Sequence, residues 1–384
     1  MKVSIVGAGN AGCITALYFS YYGLDKNIEV ELIHDPNIKP VDVGQATLLG
    51  MPRLLWDALE FNWYDNPIYG TFKTGILYEG WGKKNDKIMH DFSPERTAMH
   101  YCPAEMQRFV LESGRFKVTE SNILEPKNVD GDIVFDCRGK PDDFSNYDQL
   151  INPTNACLLG KPNWNTVEAL WSRHVATPDG WTFVIPTHPQ SPSHDYCVGY
   201  CYNSSITSRE DAEKNMLEMF DVEITNHLNY KNYVAKNPVI DDRIVLNGNR
   251  LFFLEPMESS SNQTYLAAAE YIFNDGSPDL IGFGDKFKEY VTRCQNFILY
   301  HYAFGSKYDT PFWEYAKRLS LRRTRDEMWD MIIKDCMYLN RDEIQLLQDK
   351  PEHDITYAQW GYYNINLWYR GVNFHNPKRF GRSA

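Results

Sequence analysis

The sequence predicts an α/β fold: a Rossmann-like sheet wound with helices, an interleaved antiparallel sheet and a helical C-terminal region. Three observations predict it. The apolar run KVSIV at 2–6 leads into a glycine turn, a helical run and a second strand. Two strand-like runs, WTFVIP and YCVGYCYN, flank the Pro-rich THPQSPSHD. Phe287, Val291, Cys294, Ile298 and Tyr302 recur at helical spacing on one face between 283 and 302.

In chain order, GAGNAG follows the first strand and CITALYFSYYG reads as a helix closed by Gly23. IEVELIH at 28–34 is the second strand, and DIVFDCRG at 132–139 another. From about 161 to 203 the texture turns to antiparallel strands. TSREDAEKNMLEMF then opens a helix with a capping-box pattern from Thr207 to Glu210. RIVLNGNRLFFLEP, 243–256, returns to strand and turn, the long helix follows, and the C-terminal part is rich in Trp and Tyr, as in QWGYYNINLWYRGVNF.

Composition bounds the function. The 384 residues suffice for one large core. The formal charge of −12 argues against a nucleic-acid partner. No apolar run is long enough for a membrane span, and the N-terminus reads as a strand rather than an export signal, so a cytoplasmic location is expected. The cysteines should then be reduced thiols. Cys197 and Cys201 share a strand face, but no second pair stands at zinc spacing, so no metal site is expected. Aromatics make up 14% of the chain, a supply that suits a core and also a pocket for a flat ligand.

Gly7, Gly9 and Gly12 form GxGxxG between a strand and a helix. The first glycine permits the turn, the second lets a pyrophosphate approach, and the third lets helix and sheet pack. This predicts a dinucleotide, with its phosphates at the helix N-terminus. FAD or NAD sites usually place an acid at the end of the second strand. Asp35 suits a ribose chemically but stands one residue late, and a capping or turn role before Pro36 is a nearly equal reading.

TFKTGILYEGW, 71–81, sets Lys73 inside an apolar run where Phe72, Ile76, Leu77, Tyr78 and Trp81 favour burial. On its own, Lys73 reads as a packed stem with its head in water. In FLEPMESSSN, 253–262, Glu258 and Ser259–Ser261 open a helix; exposed N–H groups there suit an anion, while plain N-capping of QTYLAAAEYI is the simpler reading.

Taken in order, these segments resemble the tryptophan halogenase type of flavin-dependent halogenase along nearly the whole chain. VDVGQATL at 41–48 is similar to the family's flavin-side VGEAT segment, TFKTGILYEGW to its lysine strand, WTFVIP to WxWxIP and FLEPMESSS to EPLEST. HYAFGSKYDTPFW, 301–313, is similar to a further family segment. The resemblance leaves room for a compact, phage-encoded member.

The resemblance implies that FADH2, supplied by a separate flavin reductase, and O2 convert a halide (chloride, bromide or iodide) to hypohalous acid. That oxidant then halogenates an electron-rich, indole-like small aromatic. It implies catalytic roles for Lys73, Glu258 and Ser259, and halide binding by the backbone at Ser260 and Ser261. It implies flavin contact at Gly7, Gly9, Gly12, Asp35 and Gln45, and separation of flavin from substrate by Trp181, Phe183, Ile185 and Pro186. It further implies one interleaved unit over 1–384. The FAD-binding module would span about 1–80, 120–160 and 240–305; the substrate side would span about 81–119, 161–239 and 306–384. Oligomeric state stays open, a homo-oligomer included.

This chain departs from the family pattern at Phe183 for a Trp, Gln45 for a Glu, DCRGK for DCSGF, and Asn249 and Arg250 where small residues are usual. These substitutions keep two rivals in play: an aromatic monooxygenase of the same flavin superfamily, and a non-enzymatic flavin-binding relative. Trp368 is a candidate ring-stacking wall.

Overall fold

The computed structural model describes residues 1–40, 43–92, 97–273, 280–324, 360 and 362–373. Val41, Asp42, Cys336, Gln359, Gly361 and Phe374, which fall in segments discussed above, lie outside the described residues.

Strands are numbered along the chain. A six-stranded sheet centres on β1 (Lys2–Val6). β2 (Glu29–His34) and β8 (Lys117–Glu120) lie to one side; β9 (Ile133–Asp136), β18 (Ile244–Leu246) and β17 (Val239–Ile240) lie to the other. All pairings are parallel except β17 with β18. β1 is buried from Val3 to Val6, as expected of a central parallel strand covered on both faces. Helix α1 (Asn10–Tyr22) returns across it and packs on α2 (Gly50–Leu59), α3 (Pro103–Leu111) and α5 (Ser261–Ile272).

The second, seven-stranded sheet has the order β15 (Val222–Asn229), β11 (Ala156–Pro162), β14 (Val198–Tyr202), β13 (Gly180–Val184), β12 (Ser172–Thr177), β5 (Gly75–Glu79), β6 (Lys87–Asp91). It is antiparallel except where β5 joins β12. Two three-stranded sheets complete the β structure. One is β3 (Gln45–Ala46), β7 (Ala98–Tyr101), β4 (Thr71–Lys73); the other is β10 (Tyr147–Leu150), β16 (Asn232–Ala235), β19 (Phe252–Phe253).

The remaining helices are α4 (Arg209–Met219), α6 (Phe283–Ala303), α7 (Pro311–Thr324) and α8 (Tyr362–Asn373). α6 packs on α7, and α8 lies on β6. The α/β class and the interleaved antiparallel sheet read from the sequence are therefore present.

Two local readings need correction. The α4 cap is Ser208, whose hydroxyl accepts Asp211 N–H; Thr207 instead donates to buried Asp179. Phe72 is 42% exposed and packs on Trp63, because TFK forms β4 and GILYE forms β5 in different sheets. Gly23 caps α1 as the sequence suggests, with right-handed backbone (φ −91°).

Register fixes what the seven-stranded sheet presents. Residues directly opposite one another share a face, as do alternate residues along a strand. Phe183 faces Gly199 on one side and His174 on the other; His174 faces Tyr78; Ile76 faces His90. Phe183, His174, Tyr78, His90 and Trp181 therefore line one face of the sheet.

Candidate active site

A cavity of about 460 Å³ opens at the C-terminal ends of β1, β2 and β9. Gly7, Ala8, Gly9 and Asn10 line it, with His34, Asp35, Gln45, Gln107, Asn249, Phe183, Pro256 and Ser261. Gly7 has φ +103°, and a Cβ there would meet Cys137 O at 2.7 Å. A Cβ on Gly12 would stand 1.8 Å from Gly7 O, so Gly12 serves packing and lies outside the cavity lining. At Gly9 an added Cβ meets nothing within 4 Å. No side chain caps α1, so its first N–H groups are available to an anion. This cradle fits the diphosphate of FAD.

The flavin-side departures resolve individually. Asp35 lines the cavity yet accepts Asn37 N–H at 2.9 Å, so the turn role is realised beside any ribose contact. Gln45 lines it and donates to Val43 O. Arg138 also lines it but spends its guanidinium on Asp136 (2.8 Å twice) and on the carbonyls of Ile123 and Leu124. Of the two bulky residues expected to crowd the flavin, only Asn249 reaches the cavity, where its amide oxygen accepts Tyr265 Oη–H. Arg250 turns to Asp136, 3.4 Å away.

Lys73 does not snorkel. It is fully buried at the end of β4, and its Nζ donates to Thr47 O at 2.9 Å. Burial drives its pKa from 10.5 down to about 7, with Glu258 pulling the other way. A lysine held this way is a functional candidate on physical grounds.

Glu258 is fully buried and has φ +70°; Ser259 follows at φ +53°. Two successive non-glycine residues in the left-handed region are costly, and such strain gathers at functional sites. The turn aims the Glu258 carboxylate into a cage of donors. Oε1 accepts from Tyr78 Oη, from His90 Nδ1 at 3.1 Å and from His301 Nε2 at 2.8 Å; Oε2 accepts Trp360 Nε1 at 3.2 Å. The other nitrogen of His301 stands 2.7 Å from Phe297 O, also an acceptor. Both ring nitrogens of His301 therefore face oxygen atoms. Burial pushes Glu258 upward, but His90 and His301 outweigh it and hold the carboxyl well below its ordinary value.

Ser259 is 9% exposed and Ser260 is buried. Ser260 precedes α5 without a side-chain cap; its carbonyl accepts Thr264 N–H and Oγ–H. Simple N-capping by a serine hydroxyl is thus not what this run does. Ser261 reaches the cavity lining. In the separating motif, Phe183 lines the cavity, Trp181 is fully buried behind it, Ile185 is buried, and Pro186 O accepts the Thr71 hydroxyl. Glu255, of the EP pair, is structural: buried, and bonded to Asn152, Thr154 and Tyr302.

Sequence reasoning missed Tyr78, His90, His174 and His301 as site residues. Tyr78 stands within the lysine segment and His301 opens HYAFGSKYDTPFW, so both lay in quoted motifs; period-2 spacing could have put Tyr78 on a common face with Ile76. Trp368, expected as a ring-stacking wall, is 2% exposed and instead packs tilted against His301 (4.3 Å) and edge-on against Tyr78 (4.7 Å), closing over the Glu258 cage. Among the described residues, no cluster suits a metal ion, and all described cysteines are buried.

The model of the tryptophan halogenase family matches residues 2–127 and 106–359. The chain belongs to the tryptophan halogenase family. It is 27% identical over 439 residues to tryptophan 7-halogenase RebH of Lentzea aerocolonigenes, covering 86% of this chain and 81% of that protein. It is 23% identical over 257 residues to tryptophan 6-halogenase ThaL of Streptomyces albogriseolus. That second match takes in 61% of this chain and spans about half (47%) of the relative's length. A tryptophan halogenase structure from Shewanella frigidimarina covers all of this chain and 90% of its own, with TM-score 0.77 and 16% identity. BrvH, a flavin-dependent halogenase from Brevundimonas sp. BAL3, covers 85% of this chain and 84% of its own, with TM-score 0.66 and 18% identity. These structures share the fold of this halogenase-family chain.

Proposed function

We propose that the protein halogenates an electron-rich, indole-like small aromatic, using FADH2 from a separate reductase, O2 and a halide. The observation that carries this reading is the pairing of two buried groups beyond the nucleotide cavity: Lys73, with its pKa near 7, and Glu258, caged as a carboxylate. A flavin protein that only hydroxylates needs neither. The balance is FADH2 + O2 + X⁻ + H⁺ + ArH giving FAD + ArX + 2 H2O.

When bound, reduced FAD supplies the electrons that, with O2 and halide, yield hypohalous acid. The N–H groups at Gly9–Ala11 hold the diphosphate, and the chain at Ser260–Ser261 holds the halide. Phe183 and Trp181 keep the aromatic ring away from the cavity. Lys73 as ammonium hydrogen-bonds the oxidant and turns its halogen to the ring; as free amine it takes the halogen and passes it on. A group near pKa 7 is open to both roles. Glu258, kept ionised by His301 and His90, accepts the proton the ring loses. Ser259 stands beside it to hold the ring or relay that proton.

The division into an FAD-binding module and a substrate side, within one interleaved unit, is part of this reading, as is a cytoplasmic location. Among the described residues no helix is long and apolar enough to cross a membrane.

The test is incubation with reduced FAD, O2, bromide and a panel of indoles, read by product mass. Gain of bromine supports the proposal. Gain of oxygen alone means a monooxygenase, and no change with flavin bound means a non-enzymatic relative.

A further inference from the structure

The histidine at position 174 has no part in the mechanism above, yet its place is unusual. It is 2% exposed on β12, and its Nδ1 has no hydrogen-bond partner among the described residues. Buried side-chain nitrogens are nearly always paired, so an unpaired one calls for an explanation. Register supplies the location. His174 lies directly opposite Phe183, which lines the nucleotide cavity, and directly opposite Tyr78, whose hydroxyl bonds Glu258. The ring stands 4.8 Å from Trp181 and 5.2 Å from Tyr78, centroid to centroid. His174 is therefore the step between the wall of the cavity and the Glu258 cage.

Building on the halogenase reading, we propose that His174 is a transit site for hypohalous acid, its uncommitted Nδ1 hydrogen-bonding the guest between the two sites. The chemistry suits a small neutral guest carrying one O–H and an acceptor oxygen. Burial, then the charge of Lys73, push the imidazole down to about 3, so the ring is neutral at working pH. A neutral ring offers no charge to retain a halide ion, but either tautomer presents a donor or an acceptor to a hydroxyl. No covalent bond is made or broken at this step. The guest moves on to Lys73, whose charge lies near enough to disfavour protonation of His174.

The experiment uses the full chain with reduced FAD, O2, bromide and the indole the parent halogenates best. Brominated product is counted per flavin reoxidised, with a chemical trap for escaped hypobromous acid. His174→Leu is expected to lower the product ratio at least tenfold and raise the trapped fraction, with no loss of melting temperature, since no protein hydrogen bond is removed. His174→Asn, which keeps a polar atom near the Nδ1 position, is expected to recover most of the ratio. An unchanged ratio in His174→Leu overturns the transit site alone. A melting temperature well below the parent also overturns it, because the imidazole is then structural. If the parent reoxidises flavin without making brominated product, the halogenase reading falls and the transit site falls with it.

Discussion

Replacing Lys73 by methionine keeps an unbranched side chain, one atom shorter, and removes the buried ionisable group. The fall of the lysine pKa from 10.5 to about 7 means that the folded chain resists its proton. At about 1.4 kcal/mol per tenfold, this costs about 5 kcal/mol at pH 6. The bond from Nζ to Thr47 O offsets about 1 kcal/mol. Lys73→Met should therefore be more stable than the parent by about 4 kcal/mol at pH 6. The sign with pH follows from linkage. Between about 7 and 10.5 the unfolded chain holds the proton and the folded chain does not, so the parent gains stability as pH rises through that window. At pH 9 the remaining cost is about 2 kcal/mol and the variant's advantage shrinks to about 1 kcal/mol. Denaturant unfolding of both proteins at pH 6 and pH 9 gives the difference, in which the other titrating groups cancel. The same variant should bind FAD yet form no halogenated product, since stability is given up where function needs a buried amine. An advantage that stays flat between the two pH values, or a variant less stable at pH 6, would refute the desolvation argument.

Gly9→Val, at a position where a Cβ meets nothing within 4 Å, should fold as the parent does but bind FAD at least tenfold more weakly in a fluorescence titration. Gly12→Ala should instead fail by melting temperature, because its Cβ would stand 1.8 Å from Gly7 O. Glu258→Gln places an amide N–H₂ among donors that now converge on a carboxylate; halogenated product per minute should fall roughly a hundredfold to ten-thousandfold, the usual worth of a positioned acid or base. Equal rates for Glu258→Gln and parent would remove the glutamate from the chemistry. Gly199→Ala would set a methyl 2.0 Å from the Phe183 ring and push that ring toward the cavity, so FAD affinity should fall while secondary structure by circular dichroism stays unchanged.

The strand, glycine turn, helix and strand at the N-terminus were legible because their determinants are local. Burial from Val3 to Val6, the positive φ of Gly7 and the tight contact at Gly12 all follow from residues within one short segment. The six segments that mark the family were legible for the same reason, and they led to Lys73 and Glu258. Local sequence also announced the antiparallel strands around Trp181. It could not announce their neighbours. That β5 joins β12 in parallel, and so sets Tyr78 beside His174, depends on pairing across about a hundred residues, for which periodicity gives a face but no partner. The cage on Glu258 draws His90 from 168 positions away and Tyr78 from 180. The left-handed turn at Glu258 and Ser259 has no glycine to signal it and exists because the packed surroundings hold it. The depressed pKa of Lys73 is likewise a tertiary property: an ammonium costs little in the unfolded chain, and only the packing of distant segments around it removes the water that would keep it charged.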